Sequence, residues 1–124
     1  MIGYVTLGTN NFGEAAKFYD ALLGSIGAKR IFELERFVAW STGPAAPALA
    51  ITTPYDQESA TVGNGVMVAI AVKDPAQVDA LHAKALELGG SDEGAPGPRV
   101  GGFYIGYFRD LDGNKLNAFC PEQS

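Results

Sequence analysis

In the run RDLDGNKLNAFC, residues 109–120, Asp110, Asp112 and Asn114 alternate around Gly113 as the donors of a calcium loop do. An EF-hand loop puts glycine at its sixth position and a bidentate glutamate at its twelfth, so that the chain turns sharply and a carboxylate closes the shell. Counted from Asp110, those positions hold Lys115 and Pro121. An ammonium at the turn and an imide ring at the closing position argue against calcium. A hairpin fits better. YIGYF and KLNAF are strand-like runs on either side of Asp112-Gly113, a dipeptide suited to the positive φ angles of a tight turn.

Other reactive side chains are few. Cys120 is the one cysteine, so no internal disulfide can form, and its place in an apolar run predicts a buried core thiol. His82 is the one histidine. Tyr4 could serve as a general acid, although no base or charged partner stands near it in its strand to tune a phenol. Arg99 sits in APGPRVGG, which reads as a loop where a solvated arginine is ordinary, and it could hold an anionic group.

An internal echo shows which elements must position these residues. When YVTLGTNNFGEAAKFYDALLGSIGA is laid over MVAIAVKDPAQVDALHAKALELGGS, Val5 matches Val68, Leu7 matches Ile70, Asn11 matches Asp74, Phe18 matches Leu81 and Gly27 matches Gly90. Each copy opens as a strand and then meets a helix-start signal, Asn10 or Asn11 in one and Asp74-Pro75 in the other. Ala15, Phe18 and Leu22, and in the second copy Val78, Leu81, Ala85 and Leu88, recur at the spacing of an amphipathic helix. Three strand candidates follow each helix. They are RIFELE, FVAWST and ALAITT in the first copy, then a weak run near Ser91–Asp92, FYIGYF and KLNAFC in the second. GPAAPA and EGAPGPRVGG read as loops, and PYDQESATVGNG as the connection between halves. The order is βαβββ twice, an α+β chain of units 1–54 and 64–120 within one domain spanning 1–124.

Composition narrows the function. With 124 residues, 47% hydrophobic and 19% charged, the chain can bury a core without staples and has no run long enough to span a bilayer. The strand-like run from Ile2 leaves no room for a targeting segment, so a cytoplasmic location is expected. A formal net charge of -5 works against nucleic acid and anionic membranes, and favours neutral or cationic small ligands.

The duplicated unit, together with FYIGYFRDLDGNKL, resembles the vicinal oxygen chelate superfamily, which includes glyoxalase I, bleomycin resistance proteins, fosfomycin resistance enzymes and extradiol dioxygenases. That resemblance implies eight strands curled into an incompletely closed barrel around a cavity, with the helices outside. His82 is then expected as a partly exposed residue of an outer helix.

Strand alternation supports this arrangement. Val5 and Leu7, Val68, Ile70 and Val72, and Leu116, Ala118 and Cys120 form an aliphatic parity suited to packing under helices. The opposite parity supplies a cavity wall from Tyr4, Thr6 and Ala50, with Trp40 placed beside them, and from Met67, Ala69, Asn117 and Phe119. A two-residue turn at Asp112-Gly113 would set Asn117 opposite Phe108 and bring Tyr104 and Phe108 onto that wall, either as ligand surfaces or as filler.

By position, the resemblance maps the superfamily's metal ligands onto Tyr4, Ala50, Met67 and Asn117. A phenol, a methyl, a thioether and a carboxamide cannot replace the hydration shell of a dication, so no metal and no cofactor are expected. The function implied is a metal-free small-molecule binding protein of the bleomycin-resistance kind, expected as a homodimer. The alternatives are a glyoxalase-like lyase or other enzyme of the superfamily using Tyr4 as general acid, and a degenerate member that interacts with a partner protein.

Overall fold

The structure, a computed structural model, describes residues 1–122. Their elements run β1 (Tyr4–Gly8), α1 (Phe12–Gly24), β2 (Lys29–Leu34), β3 (Phe37–Ser41), β4 (Ala48–Thr52), β5 (Val68–Ala71), α2 (Pro75–Glu87), β6 (Ser91–Arg99), β7 (Phe103–Arg109) and β8 (Lys115–Pro121). This is an α+β chain of tandem βαβββ units. It divides into two compact bodies, Met1–Val62 and Gly63 onward, each an open four-stranded sheet with one helix. Among the described residues no helix is long and apolar enough to cross a membrane.

In the first unit the sheet order is β1-β4-β3-β2, with β1 parallel to β4 and the other pairs antiparallel. Asn11 starts α1 by accepting the Glu14 N–H at 3.4 Å, and Ala15, Phe18, Tyr19 and Leu22 are buried along its inner face. Tyr19 meets Trp40, with ring centroids 5.7 Å apart, and Trp40 Nε1 donates to Asp20 Oδ1 at 2.9 Å. Trp40 therefore belongs to the helix side of the sheet, in register with Leu49 and through it Val5, and not to the wall carrying Tyr4. The correction follows from pairing, since Trp40 sits one residue from Ala39, the partner of Ala50.

Asp20 links three elements of this unit. Arg30 of β2 donates to both of its oxygens, at 2.8 and 2.7 Å, and the guanidinium lies 5.8 Å from the Trp40 ring centroid. The Arg30 hydrogen bond, opposed by some desolvation, holds the Asp20 carboxyl below its usual range. A carboxyl depressed on folding contributes stability above its unfolded value, about 3.9, and loses it as pH falls through the folded value. Asp20→Asn should therefore cost about 0.5–1 kcal/mol near neutral pH, the scale of a half-exposed pair. Urea unfolding should show that gap close below about pH 3.9. A pH-independent gap would mean that the charge does not matter.

The second unit repeats the plan with order β5-β8-β7-β6. Asp74 accepts the Gln77 N–H at 2.9 Å, Pro75 enters the first turn, and Val78, Leu81, His82 and Ala85 are buried. Leu116, Ala118 and Cys120 lie on this helix side and are at most 1% exposed, and burial pushes the Cys120 thiol up. His82 is 6% exposed rather than an outer helix residue. Its Nε2 reaches Asp92 Oδ1 at 3.0 Å and the Tyr107 carbonyl at 3.1 Å, so it turns inward to tie α2 to the sheet. Gly106 makes the space, because a Cβ there would meet the His82 ring at 3.3 Å.

Two further corrections concern strands. EGAPGPRVGG is not all loop, because β6 runs through Arg99 as an edge strand with irregularities at Asp92/Gly94 and Gly94/Gly97. Proline and glycine are tolerated there because an edge strand can leave N–H groups outward and bulges interrupt the ladder. The second correction is the hairpin register. Arg109 pairs with Lys115, so Asn117 faces Tyr107, while Phe108 faces Leu116. Tyr104 and Phe108 thus leave the wall for the helix side. Phe108 packs near His82 at a ring separation of 6.4 Å, and the Tyr104 hydroxyl donates to Asp79 at 2.7 Å, which raises its pKa.

The cause of the changed hairpin register is the loop from Asp110 to Asn114. Asp110 Oδ1 accepts the Asp112 and Asn114 backbone N–H groups, both at 2.9 Å, and Oδ2 accepts from Asn114 Nδ2 at 3.0 Å. Gly113, at φ 89°, completes the turn. The carboxylate organises a loop of odd length. Relative to a two-residue turn, the facing parity reverses.

Candidate functional site

Each sheet has one face turned away from its own helix, and most of the wall residues lie there. In the first unit, Thr6 pairs with Ala50 and Ala50 with Ala39, while Tyr4 pairs with Ala48. Tyr4, Phe37 and Phe32 form an aromatic row across this face, with centroid separations of 6.2 and 6.0 Å. Ala50 within it is fully buried. Tyr4 is 61% exposed, and among the described residues its hydroxyl has no hydrogen-bond partner.

In the second unit, Ala69, Asn117 and Tyr107 stand side by side across β5, β8 and β7, with Phe119 paired to Ala71 and Ile105 in the next row. Phe103 meets Phe119 at 5.9 Å. Asn117 is 3% exposed. Among the described residues its Nδ2 donates only to the Met67 sulfur, at 3.6 Å, and its Oδ1 is buried without a hydrogen-bond partner. A buried amide oxygen left unmatched costs about 1–3 kcal/mol.

Two cations lie by the ring that neighbours this carboxamide across the strand pair. The Arg99 guanidinium lies 5.6 Å, and the Lys115 ammonium 5.3 Å, from the centroid of Tyr107, the cross-strand partner of Asn117. Reading Arg99 as a loop residue and pairing Asn117 with Phe108 hid this grouping. An odd turn length would have exposed it.

The superfamily's metal does not fit here. Among the described residues no group of three or more His, Cys, Asp or Glu side chains could hold an ion. The positions that the resemblance maps to ligands carry Tyr4, Ala50, Met67 and Asn117, a set without imidazole or carboxylate.

The family model for the Glyoxalase/Bleomycin resistance protein/Dioxygenase superfamily matches residues 1–118. A search of curated proteins found no match. Among solved structures, a glyoxalase/bleomycin resistance protein from Albidiferax ferrireducens is 38% identical, with a TM-score of 0.88 over 96% of this chain and 97% of that one. A glyoxalase/bleomycin resistance protein/dioxygenase family enzyme from Burkholderia phytofirmans, 18% identical over 94% and 95%, shares the fold at TM-score 0.77. So does a lactoylglutathione lyase from Agrobacterium tumefaciens, 20% identical over 96% and 92%, at TM-score 0.71. With a family match over nearly its whole length and a tandem βαβββ fold to go with it, the chain belongs to the Glyoxalase/Bleomycin resistance protein/Dioxygenase superfamily.

Proposed function

We propose that the protein binds a small molecule without a metal, on the helix-free sheet faces that carry Tyr4, Thr6 and Ala50 in one unit and Met67, Ala69, Asn117 and Phe119 in the other. The observation that carries this reading is Asn117: a nearly buried carboxamide with an unmatched oxygen stands where the superfamily's metal sites need an anion. Such a face supplies contact area and one or two oriented polar groups, which suits recognition better than electrophilic chemistry. The protein acts in the cytoplasm, and the exposed Ile31, Phe32 and Leu34 of β2 favour a homodimer.

A thermal-shift screen of small aromatic compounds tests the reading, since a guest at a hundred times its dissociation constant adds about 2.7 kcal/mol. Hits should be recovered unchanged after long incubation, and Met67→Trp should abolish the shift by filling the face. A hit converted to product, with conversion lost in Tyr4→Phe, would instead establish an enzyme. Elemental analysis of protein purified without a metal-binding tag should find no stoichiometric zinc, nickel, iron or manganese. One equivalent of metal, lost in Asn117→Ala, would overturn the metal-free reading.

A further inference from the structure

The helix-free face of the second unit has a polarity that the net charge of the chain conceals. Arg99 and Lys115 both reach the Tyr107 ring, and among the described residues neither forms an ion pair. Arg109 differs, because its Nε donates to Glu93 at 2.9 Å and its charge is matched. The Arg99 side chain folds back along its own strand, where Nη2 donates to the Ala95 carbonyl at 2.7 Å and Nη1 to that of Pro98 at 3.2 Å. It lies over Gly97 and Gly94, where an added Cβ would come within 3.2 and 3.5 Å of the guanidinium. Among the described residues two of its five N–H donors are used, which leaves the others for a ligand.

Lys115 and Asn117 are alternate residues of β8, so their side chains leave the same face about 7 Å apart along the strand. Tyr107, the ring both cations approach, pairs with Asn117 on one side, and the small side chain of Ala69 pairs with Asn117 on the other. The Met67 thioether covers the carboxamide on one side, and it is a weak acceptor on a flexible stem that an incoming polar group can displace. We infer that this face recognises an anionic small molecule, a carboxylate whose charge sits at Arg99 and Lys115 and which carries an N–H or O–H donor several ångströms away for Asn117 Oδ1.

This inference rests on the binding reading above and departs from the expectation of a neutral or cationic guest. Net charge is a poor guide at such range. At physiological ionic strength charges farther apart than about 8 Å are largely screened, so the two nearby cations outweigh acidic groups elsewhere.

The test uses four flat probes of similar size: benzoate, 3-aminobenzoate, aniline and benzylamine, titrated into the 15N-labelled protein and followed by amide shifts. 3-Aminobenzoate should bind most tightly, benzoate several-fold more weakly, and aniline and benzylamine weakest, with shifts centred on Tyr107, Lys115 and Asn117. In Arg99→Ala/Lys115→Ala the benzoate dissociation constant should rise about tenfold, and in the milder Lys115→Gln by less, while aniline is unaffected. Added salt should weaken benzoate and spare aniline. Asn117→Leu should abolish the advantage of 3-aminobenzoate over benzoate while leaving thermal stability equal or higher, because it removes an unmatched buried amide. Benzylamine binding more tightly than benzoate, or benzoate indifferent to both cation variants, would overturn the anion assignment and leave small-molecule binding standing. If no probe moves amides on either helix-free face, both readings fail.

Discussion

Phe108→Ala should destabilise the protein by about 3–5 kcal/mol, the cost of emptying a fully buried aromatic site. Its neighbour in the same strand should behave differently. Tyr107→Ala removes a half-exposed ring and two cation contacts, for about 1–2 kcal/mol. Chemical denaturation of the two variants therefore reads the hairpin register directly. Under the pairing of Phe108 with Asn117 the ranking would reverse, since Phe108 would then line the helix-free face and Tyr107 would enter the core. Equal losses would mean that neither ring is buried as the structure places them.

Asp110→Ala should cost about 2–4 kcal/mol, because it strips acceptors from the Asn114 backbone N–H, the Asp112 N–H and the Asn114 carboxamide around a side chain only 6% exposed. Asp110→Asn keeps one acceptor oxygen and should recover part of that loss. Calcium should stabilise neither wild type nor variant, since the carboxylate that would bind it is already engaged by the loop. A calcium-dependent rise in unfolding temperature, absent in Asp110→Ala, would restore the metal reading of this segment. A loss under about 0.5 kcal/mol would show that the loop holds without its carboxylate.

The duplication was legible because it is written in apolar spacing. Phe18 and Leu81, Val5 and Val68, and the caps Asn11 and Asp74 mark both copies in the sequence itself. The two-residue turn was a local inference from Asp112-Gly113, and it failed because Asp110, three positions earlier than the glycine, draws two backbone N–H groups onto one oxygen and lengthens the loop. One residue of loop length moved Tyr104 and Phe108 across the sheet. β6 was hidden for a different reason: SDEGAPGPR has almost no β-forming side chains, and its pairing with β7 comes from tertiary context. Trp40 was misplaced because an aromatic residue suits a ligand wall and a helix interface equally well, and only its pairing with Leu49 decides which. The buried Asn117 could be named from sequence, but the cations beside Tyr107 required the corrected register.

Of the outer strands, β2 in one sheet and β6 in the other have opposite susceptibilities to uncontrolled strand addition. An outer strand offers unpaired backbone groups to any other extended chain, and proline, bulges and charge are the usual deterrents. β6 carries Pro96 and Pro98 and two irregular steps, with the Arg99 side chain folded back over it, so a foreign strand finds neither a continuous donor row nor a flat approach. β2 is less protected. Lys29 and Arg30 and a single irregularity guard its start, but Ile31, Phe32 and Leu34 are all more than half exposed and its sequence contains no proline or glycine. If the proposed dimer dissociates and the protein partly unfolds, aggregation should begin at Ile31–Leu34, and Ile31→Lys should suppress it.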